Sequence, residues 1–289
     1  MRLISAIIFL LQTVISVHTE LVAVPVIVTG KGGERVSGLT EENFRVFENG
    51  RRRDIVVFHR GADAISLGVV VDRSQSMRGK VTALKTAVSA LLQSTRPDDQ
   101  LFGVDFNDRV SLALRGDAPF TRDARELEAA LATTSAGGRT ALYDGVARGL
   151  QQLQRAQPGT HALVVVSDGG DNASRRTYAE VLALARQSDA VVYAIGLMAT
   201  SPADEEEDAG LLKRLCRDTG GTAYFPGTAD EIVTVSSQIA RDIRQQYTLG
   251  FTPDPQTART AFRKIHVTVS APGRGRLRVR TRSGYVLEP

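Results

Sequence analysis

Three periodicities divide the chain. From residue 21 to 60 the apolar positions mark short strands: Leu21, Ala23, Val26 and Val28, then a turn at Gly30 to Gly33. Phe44, Val46 and Glu48 lead into Asn49-Gly50. That dipeptide accepts the positive φ of a two-residue hairpin turn, so Ile55 to Phe58 is predicted as the returning strand.

Between residues 64 and 246 the pattern changes to alternating strands and helices. Ile65 to Val71 is a continuous apolar run, as a strand covered on both faces requires. Val81, Leu84, Val88 and Leu91 follow at helical spacing. Leu101 to Phe106 reads as the next strand and Val110 to Leu114 as an antiparallel edge strand. Leu142, Val146, Leu150 and Leu153 mark a helix, His161 to Val166 a strand, Tyr178 to Gln187 a helix and Ala190 to Leu197 a strand. Ser201-Pro202 opens a further helix, and the acidic run from Asp204 to Asp208 suits the positive end of its dipole better than a calcium loop. Ile232, Val235, Ile239 and Ile243 define a last helix. This alternation predicts an α/β fold: a doubly wound, mostly parallel sheet with helices on both faces.

After residue 246 period two returns, in Tyr247, Leu249 and Phe251 and again in Ile265, Val267 and Val269. Arg274, Arg276, Arg278, Arg280 and Arg282 then fall on one face of a strand, with Leu277 and Val279 on the other. A solvated sheet face is the simpler reading of that stripe, and a surface for a polyanion or acidic partner the other. Neither terminal stretch has enough strands to bury a core alone. Segments 20–62 and 247–289 are therefore expected to pack as one small β domain, a sandwich with the arginines in solvent, around an inserted unit at 63–246.

Composition adds limits. With no Trp and 6% aromatic residues, a base-stacking nucleic-acid platform is not expected, and a net charge of +4 does not require a polyanion. Cys216 is the sole cysteine, on the apolar face of Leu211, Leu212 and Leu215, and reads as a small buried hydrophobe. At the N-terminus, Arg2 precedes an apolar run from Leu3 to Leu11 that is too short to span a bilayer. Residues 1–19 are thus expected to be a cleaved signal peptide, giving an exported protein, periplasmic or secreted, without membrane insertion after cleavage.

The chemistry concentrates in VVVDRSQSM, a buried strand ending in Asp72-x-Ser74-x-Ser76. Alternate residues of an extended loop point the same way, so these three oxygens converge above the strand's carboxyl end, where open α/β sheets bind ligands. Hard oxygen donors suit Mg²⁺ or Mn²⁺ better than zinc. Taken alone, the motif is equally a helix N-cap by Ser74 or Ser76. Two further segments point the same way as the metal reading: GGRTALYDG puts Thr140 in a Gly-rich turn before a helix, and HALVVVSDGGDN puts Asp168 at the end of another buried strand.

Together these segments resemble the metal-ion-dependent adhesion site of von Willebrand factor type A (VWFA) domains, whose fold is Rossmann-like. The resemblance implies Asp72, Ser74, Ser76, Thr140 and Asp168 as metal-site residues, Mg²⁺ (or Mn²⁺) as the cofactor, and a protein partner offering an acidic side chain to the metal. GLTEENFRVFENG, YTLGFTP and RTRSGY in the flanks are similar to the exported VWFA-related proteins of acidobacteria and their neighbours. Arg73 and Gln75 fill the spacers, Gln75 where glycine is frequent. Arg73 and Arg139 beside the loops would favour an acidic partner. Of the rival acids, Asp171 is expected to cap a turn with Asn172, and Asp105 to accept a hydrogen bond behind the site.

An enzyme is not expected. His18 lies in the leader, His59 and His266 in the β flanks, and His161 at the strand end opposite the metal, none in triad position. There is no phosphate-binding glycine loop and no D-x-D-x-T. The expected function is a non-enzymatic adhesion protein. The alternative is a structural or assembly factor of the cell envelope that makes its contacts through the β domain. Intracellular chelatase or ATPase-chaperone roles fit poorly with a leader.

Overall fold

The computed structural model describes residues 21–116, 119–132, 136–197 and 202–287, with the side chains of 202–208 excepted. The expected leader and the capping Ser201 lie outside the described residues, as do the side chains of the acidic run.

The N-terminal segment supplies β1 (Val22–Thr29), β2 (Phe44–Glu48), β3 (Arg51–Arg53) and β4 (Val57–Arg60). Asn49 and Gly50 carry the positive φ angles, 48° and 80°, that the Asn-Gly turn demands. The strand returning from that turn is β3, not the stretch from Ile55 to Phe58. The chain leaves the hairpin after Arg53, and β4 pairs in the opposite sheet with β11 (Tyr247–Phe251). An apolar-run reading missed β3 because all three of its residues are arginines.

The middle of the chain runs β5 (Ile65–Asp72), α1 (Val81–Leu92), β6 (Gln100–Phe106), β7 (Val110–Leu112), α2 (Ala124–Ala132), α3 (Leu142–Leu153), β8 (Thr160–Ser167), α4 (Tyr178–Gln187), β9 (Val191–Gly196), α5 (Pro202–Thr219), β10 (Ala223–Tyr224) and α6 (Ala229–Gln245). The strands form one sheet in the order β10-β9-β8-β5-β6-β7, parallel except for the edge strand β7. All of β5 is buried, because helices cover both faces of the sheet. On one side Leu67, Val69 and Val71 meet Leu84, Val88 and Leu91 of α1 and Ile232, Ile239 and Ile243 of α6. On the other, Val70, Phe102 and Val104 meet Val146 and Leu150 of α3 and Leu212, Leu215 and Cys216 of α5. Each of these aliphatic side chains contributes roughly 1.5–3 kcal/mol by leaving water. Burial drives the Cys216 thiol far up, in keeping with its place in the core.

The C-terminal segment adds β11, β12 (Arg263–Val269), β13 (Arg278–Thr281) and β14 (Gly284–Tyr285). It builds two four-stranded sheets with the N-terminal strands, β13-β1-β11-β4 and β14-β12-β2-β3. Val24, Val26, Leu249 and Phe251 of the first sheet share a core with Phe44, Val46, Ile265 and Val267 of the second. The two ends of the chain therefore make one β sandwich, with β1 paired to β11 across the inserted α/β unit. The flanking motifs meet at Glu48, which is buried: it accepts from Tyr285 Oη at 2.6 Å, Arg263 Nη1 at 3.0 Å, Arg53 Nε at 2.8 Å and the Asp254 backbone at 3.0 Å. Burial would raise this carboxyl, but the hydrogen bonds from Tyr285 and Arg263 outweigh it and hold Glu48 below its usual range.

The arginine stripe is not a solvated face throughout. Arg274, Arg276 and Arg278 are exposed, whereas Arg280 is half-buried and Arg282 buried. Arg280 donates to the Gly220 carbonyl at 2.9 Å and to Asp242 of α6 at 2.7 Å, and Arg282 donates to the Arg186 carbonyl at 2.7 Å. The outer face of the β13-β1-β11-β4 sheet lies against the α/β unit. Ile27, opposite Arg280 in the ladder, joins the α/β core.

Candidate metal centre

β5 lies where chain order reverses, between β6 and β8, so the residues following β5 and β8 share the carboxyl-end crevice. Asp72 ends β5 and is 1% exposed. Its Oδ1 accepts from the Ser74 backbone N–H at 2.8 Å, which tightens the D-x-S turn, and its Oδ2 accepts from Ser167 Oγ at 2.6 Å. Burial pushes the Asp72 carboxyl up to about 6 despite the hydrogen bonds from Ser167 and Ser74, and the charge of Asp168 adds to the rise. A buried carboxylate beside a second one is a place where a cation gains most.

Ser74 opens a 3-10 turn over Gln75–Lys80 but makes no side-chain capping bond, and neither does Lys80 ahead of α1. The helix-cap reading of the serines is therefore not what the fold uses. Instead Ser74 Oγ and Ser76 Oγ stand 3.0 Å apart. Between them Gln75 is exposed. Arg73 is buried, its guanidinium donating to the Leu131 carbonyl beneath the loop, so of these two arginines only Arg139 is exposed.

The Gly-rich loop is tied to the same turn. Gly137 N–H donates to the Arg73 carbonyl at 2.8 Å, and Gln75 N–H donates to the Gly138 carbonyl at 3.0 Å. Gly138 has φ 83°, a left-handed conformation that carries the chain on to Thr140 at no steric cost. Thr140 is buried and held by its backbone: its N–H donates to Asn172 Oδ1 at 2.9 Å, and its carbonyl accepts from Asn172 and Ala173. Asp168 follows β8, and its Oδ2 accepts from Lys80 Nζ at 2.9 Å.

The rival acids are engaged elsewhere. Asp171 caps α3, accepting from Tyr143 N–H at 3.1 Å and Ser174 Oγ at 2.6 Å, and Asp105 accepts from Ser111 Oγ of β7 at 2.6 Å. Asn172 steadies Thr140 rather than pairing with Asp171. Sequence reasoning missed Ser167 and Lys80. Ser167 had a signal, since it directly precedes Asp168 on the buried strand; Lys80 had none beyond being a cation near the motif.

The five expected residues thus come from three loops that hydrogen bonds join at one end of the sheet. Their donors are two carboxylates and three hydroxyls, hard oxygens that fit a Mg²⁺ or Mn²⁺ ion keeping some of its water. Among the described residues no three His, Cys, Asp or Glu gather as metal ligands, so such a centre relies on its hydroxyls.

The model of the von Willebrand factor type A domain matches residues 67–238. The chain belongs to this family. Its members are adhesion and protein-interaction modules. The type A fold is shared with a von Willebrand factor type A protein from Catenulispora acidiphila, at 11% identity over 85% of this chain and 74% of that one, TM-score 0.55. It is shared too with proximal thread matrix protein 1 of the mussel byssus in a form with zinc occupying its metal-ion-dependent adhesion site. That protein is 15% identical over 68% of this chain and 49% of its own, TM-score 0.51. No curated protein matches the sequence. Among the described residues no helix of the type A chain is long and apolar enough to cross a membrane.

Proposed function

We propose that this chain is an exported, non-enzymatic adhesion protein. Residues 1–19 are its cleaved leader, and 63–246 form a type A domain carried on the β unit of 20–62 and 247–289. Asp72, Ser74, Ser76, Thr140 and Asp168 hold a divalent cation, Mg²⁺ or Mn²⁺. The observation that supports the reading is the linkage of the three loops that carry these residues: hydrogen bonds run from Ser167 to Asp72, from Gly137 to Arg73 and from Gln75 to Gly138.

A bound divalent ion supplies an open coordination position to a carboxylate of a protein partner. The chain's own residues orient and select. Ser167 and the Ser74 N–H fix the Asp72 carboxylate, the neutral hydroxyls add donors without cancelling charge, and exposed Arg139 favours an acidic partner. His161 lends no support to hydrolysis, because its nitrogens face Asp189 at 2.7 Å and the Gln157 carbonyl at 2.9 Å and not a nucleophile.

The test is calorimetric titration of Mg²⁺ and Mn²⁺ into the wild type and Asp72→Ala, with capture from cell-envelope material run in Mg²⁺ and in EDTA. Metal binding lost in the variant, with capture lost in EDTA and weakened by Thr140→Ala more than metal affinity is, supports the reading. A partner whose affinity survives both EDTA and the Asp72 substitution overturns it and moves the contact surface to the β sandwich.

A further inference from the structure

The ion pair between Lys80 and Asp168 has no role in the adhesion reading and bears directly on it. Lys80 Nζ lies 2.9 Å from Asp168 Oδ2, with only 16% of the lysine side chain and 11% of the aspartate side chain exposed. Water screens a pair this covered only weakly. Lys80 is the last residue of the turn Gln75–Lys80, which begins just after Ser74 and contains Ser76, so the segment that follows one of the hydroxyls and provides another also provides a positive charge. The two acids are served differently. Asp72 has hydrogen bonds from Ser167 and the Ser74 N–H, while the lysine ammonium meets Asp168.

We propose that Lys80 is a tethered cation of the adhesion site, neutralising Asp168 in the metal-free protein and giving way when a divalent ion binds. The inference rests on the metal reading above. An ammonium in contact with Asp168 repels a dication held by the same carboxylate, so the two compete for it. A lysine has the flexible stem for this exchange: its head moves to solvent while its backbone stays at the start of α1. Two consequences follow. The metal-free site is held together without an ion, and metal affinity is set below what the five oxygen donors alone would give. Displaced, the ammonium joins the exposed Arg78, whose Nε donates to the Ala136 carbonyl of the Gly-rich loop at 3.2 Å, adding positive charge where an acidic partner would arrive.

Mn²⁺ titration of the full chain by calorimetry tests this, with wild type, Lys80→Gln, Lys80→Met and Lys80→Arg compared under one buffer. The neutral variants are expected to bind Mn²⁺ at least about tenfold more tightly than wild type, and Lys80→Arg within a few-fold of it. In EDTA the neutral variants are expected to melt below wild type, because Asp168 then lacks a cation, and Mn²⁺ is expected to raise their melting temperatures more than that of wild type. The two neutral side chains differ in polarity, so one serves if the other does not fold. Neutral variants that bind Mn²⁺ no more tightly than wild type overturn the competition and leave the metal site standing. Mn²⁺ binding in neither wild type nor neutral variants overturns the metal site and this proposal together.

Discussion

Ser167 Oγ lies 2.6 Å from Asp72 Oδ2, so the residue immediately before one acid of the candidate centre orients the other. The same oxygen accepts from the Gly169 N–H at 3.0 Å, which sets the hydroxyl's direction and shapes the turn after Asp168. Ser167→Ala removes the donor from a buried carboxylate. The expected cost is about 1–3 kcal/mol in urea unfolding without metal. Mn²⁺ affinity should fall by about tenfold, since a less firmly oriented acid is a poorer ligand. Unchanged values in both measurements would show that Ser167 only fills space.

Asp242 of α6 joins the two parts of the molecule. Its side chain is wholly covered between Arg280 of β13, at 2.7 Å, and Arg35 of the loop after β1. Asp242→Ala leaves two partly covered guanidiniums facing each other without their acid. We expect a loss on the order of 3 kcal/mol in chemical denaturation. Arg280→Ala should cost less, because Asp242 keeps Arg35. Equal costs for the two substitutions would contradict this ordering.

The His161–Asp189 pair predicts a pH dependence. Burial alone would lower the imidazole, but the hydrogen bond and charge of Asp189, with the Gln157 carbonyl, carry His161 above its usual value. A group raised on folding contributes stability below its unfolded pKa, near 6.5, and loses it as pH rises through the folded value. The urea midpoint of the wild type should therefore fall across the mildly alkaline side of that value relative to His161→Asn. Parallel pH profiles of the two proteins would refute it. Glu48 acts in the opposite sense: lowered on folding, it withdraws stability from the β sandwich as pH drops below the carboxylate range.

Gly221 is required for close approach. A Cβ there would fall on the Val192 carbonyl of β9, and the Gly221 N–H is already spent on Cys216 O at 2.8 Å. Backbone on both sides leaves no flexible atom to move aside. Gly221→Ala should destabilise by about 3 kcal/mol or more, seen as a fall in melting temperature or loss of soluble protein. An alanine variant as stable as wild type would mean that the β9–β10 edge yields easily.

Much of the fold was legible in the order of residues. A strand covered on both faces must be apolar along its buried length, and Leu67 to Val71 and Ala162 to Val166 are; an amphipathic helix must repeat near 3.6, and α4 spans Tyr178–Gln187 as its spacing predicts. The five candidate ligands were legible because each sits at the end of a predicted strand or in the turn before a predicted helix. Local spacing therefore carries their placement. What lay outside its reach were relations between distant segments. The partner of the Asn49-Gly50 hairpin depended on β4 finding a better place beside β11 in the other sheet. The arginines of β13 read identically along the chain, yet Arg278 is exposed while Arg280 reaches Asp242, because only packing decides which part of a sheet face another domain covers. Lys80 was likewise indistinguishable from any surface lysine. Its meaning comes from Asp168, 88 residues away, which only the parallel pairing of β5 with β8 brings to the same crevice.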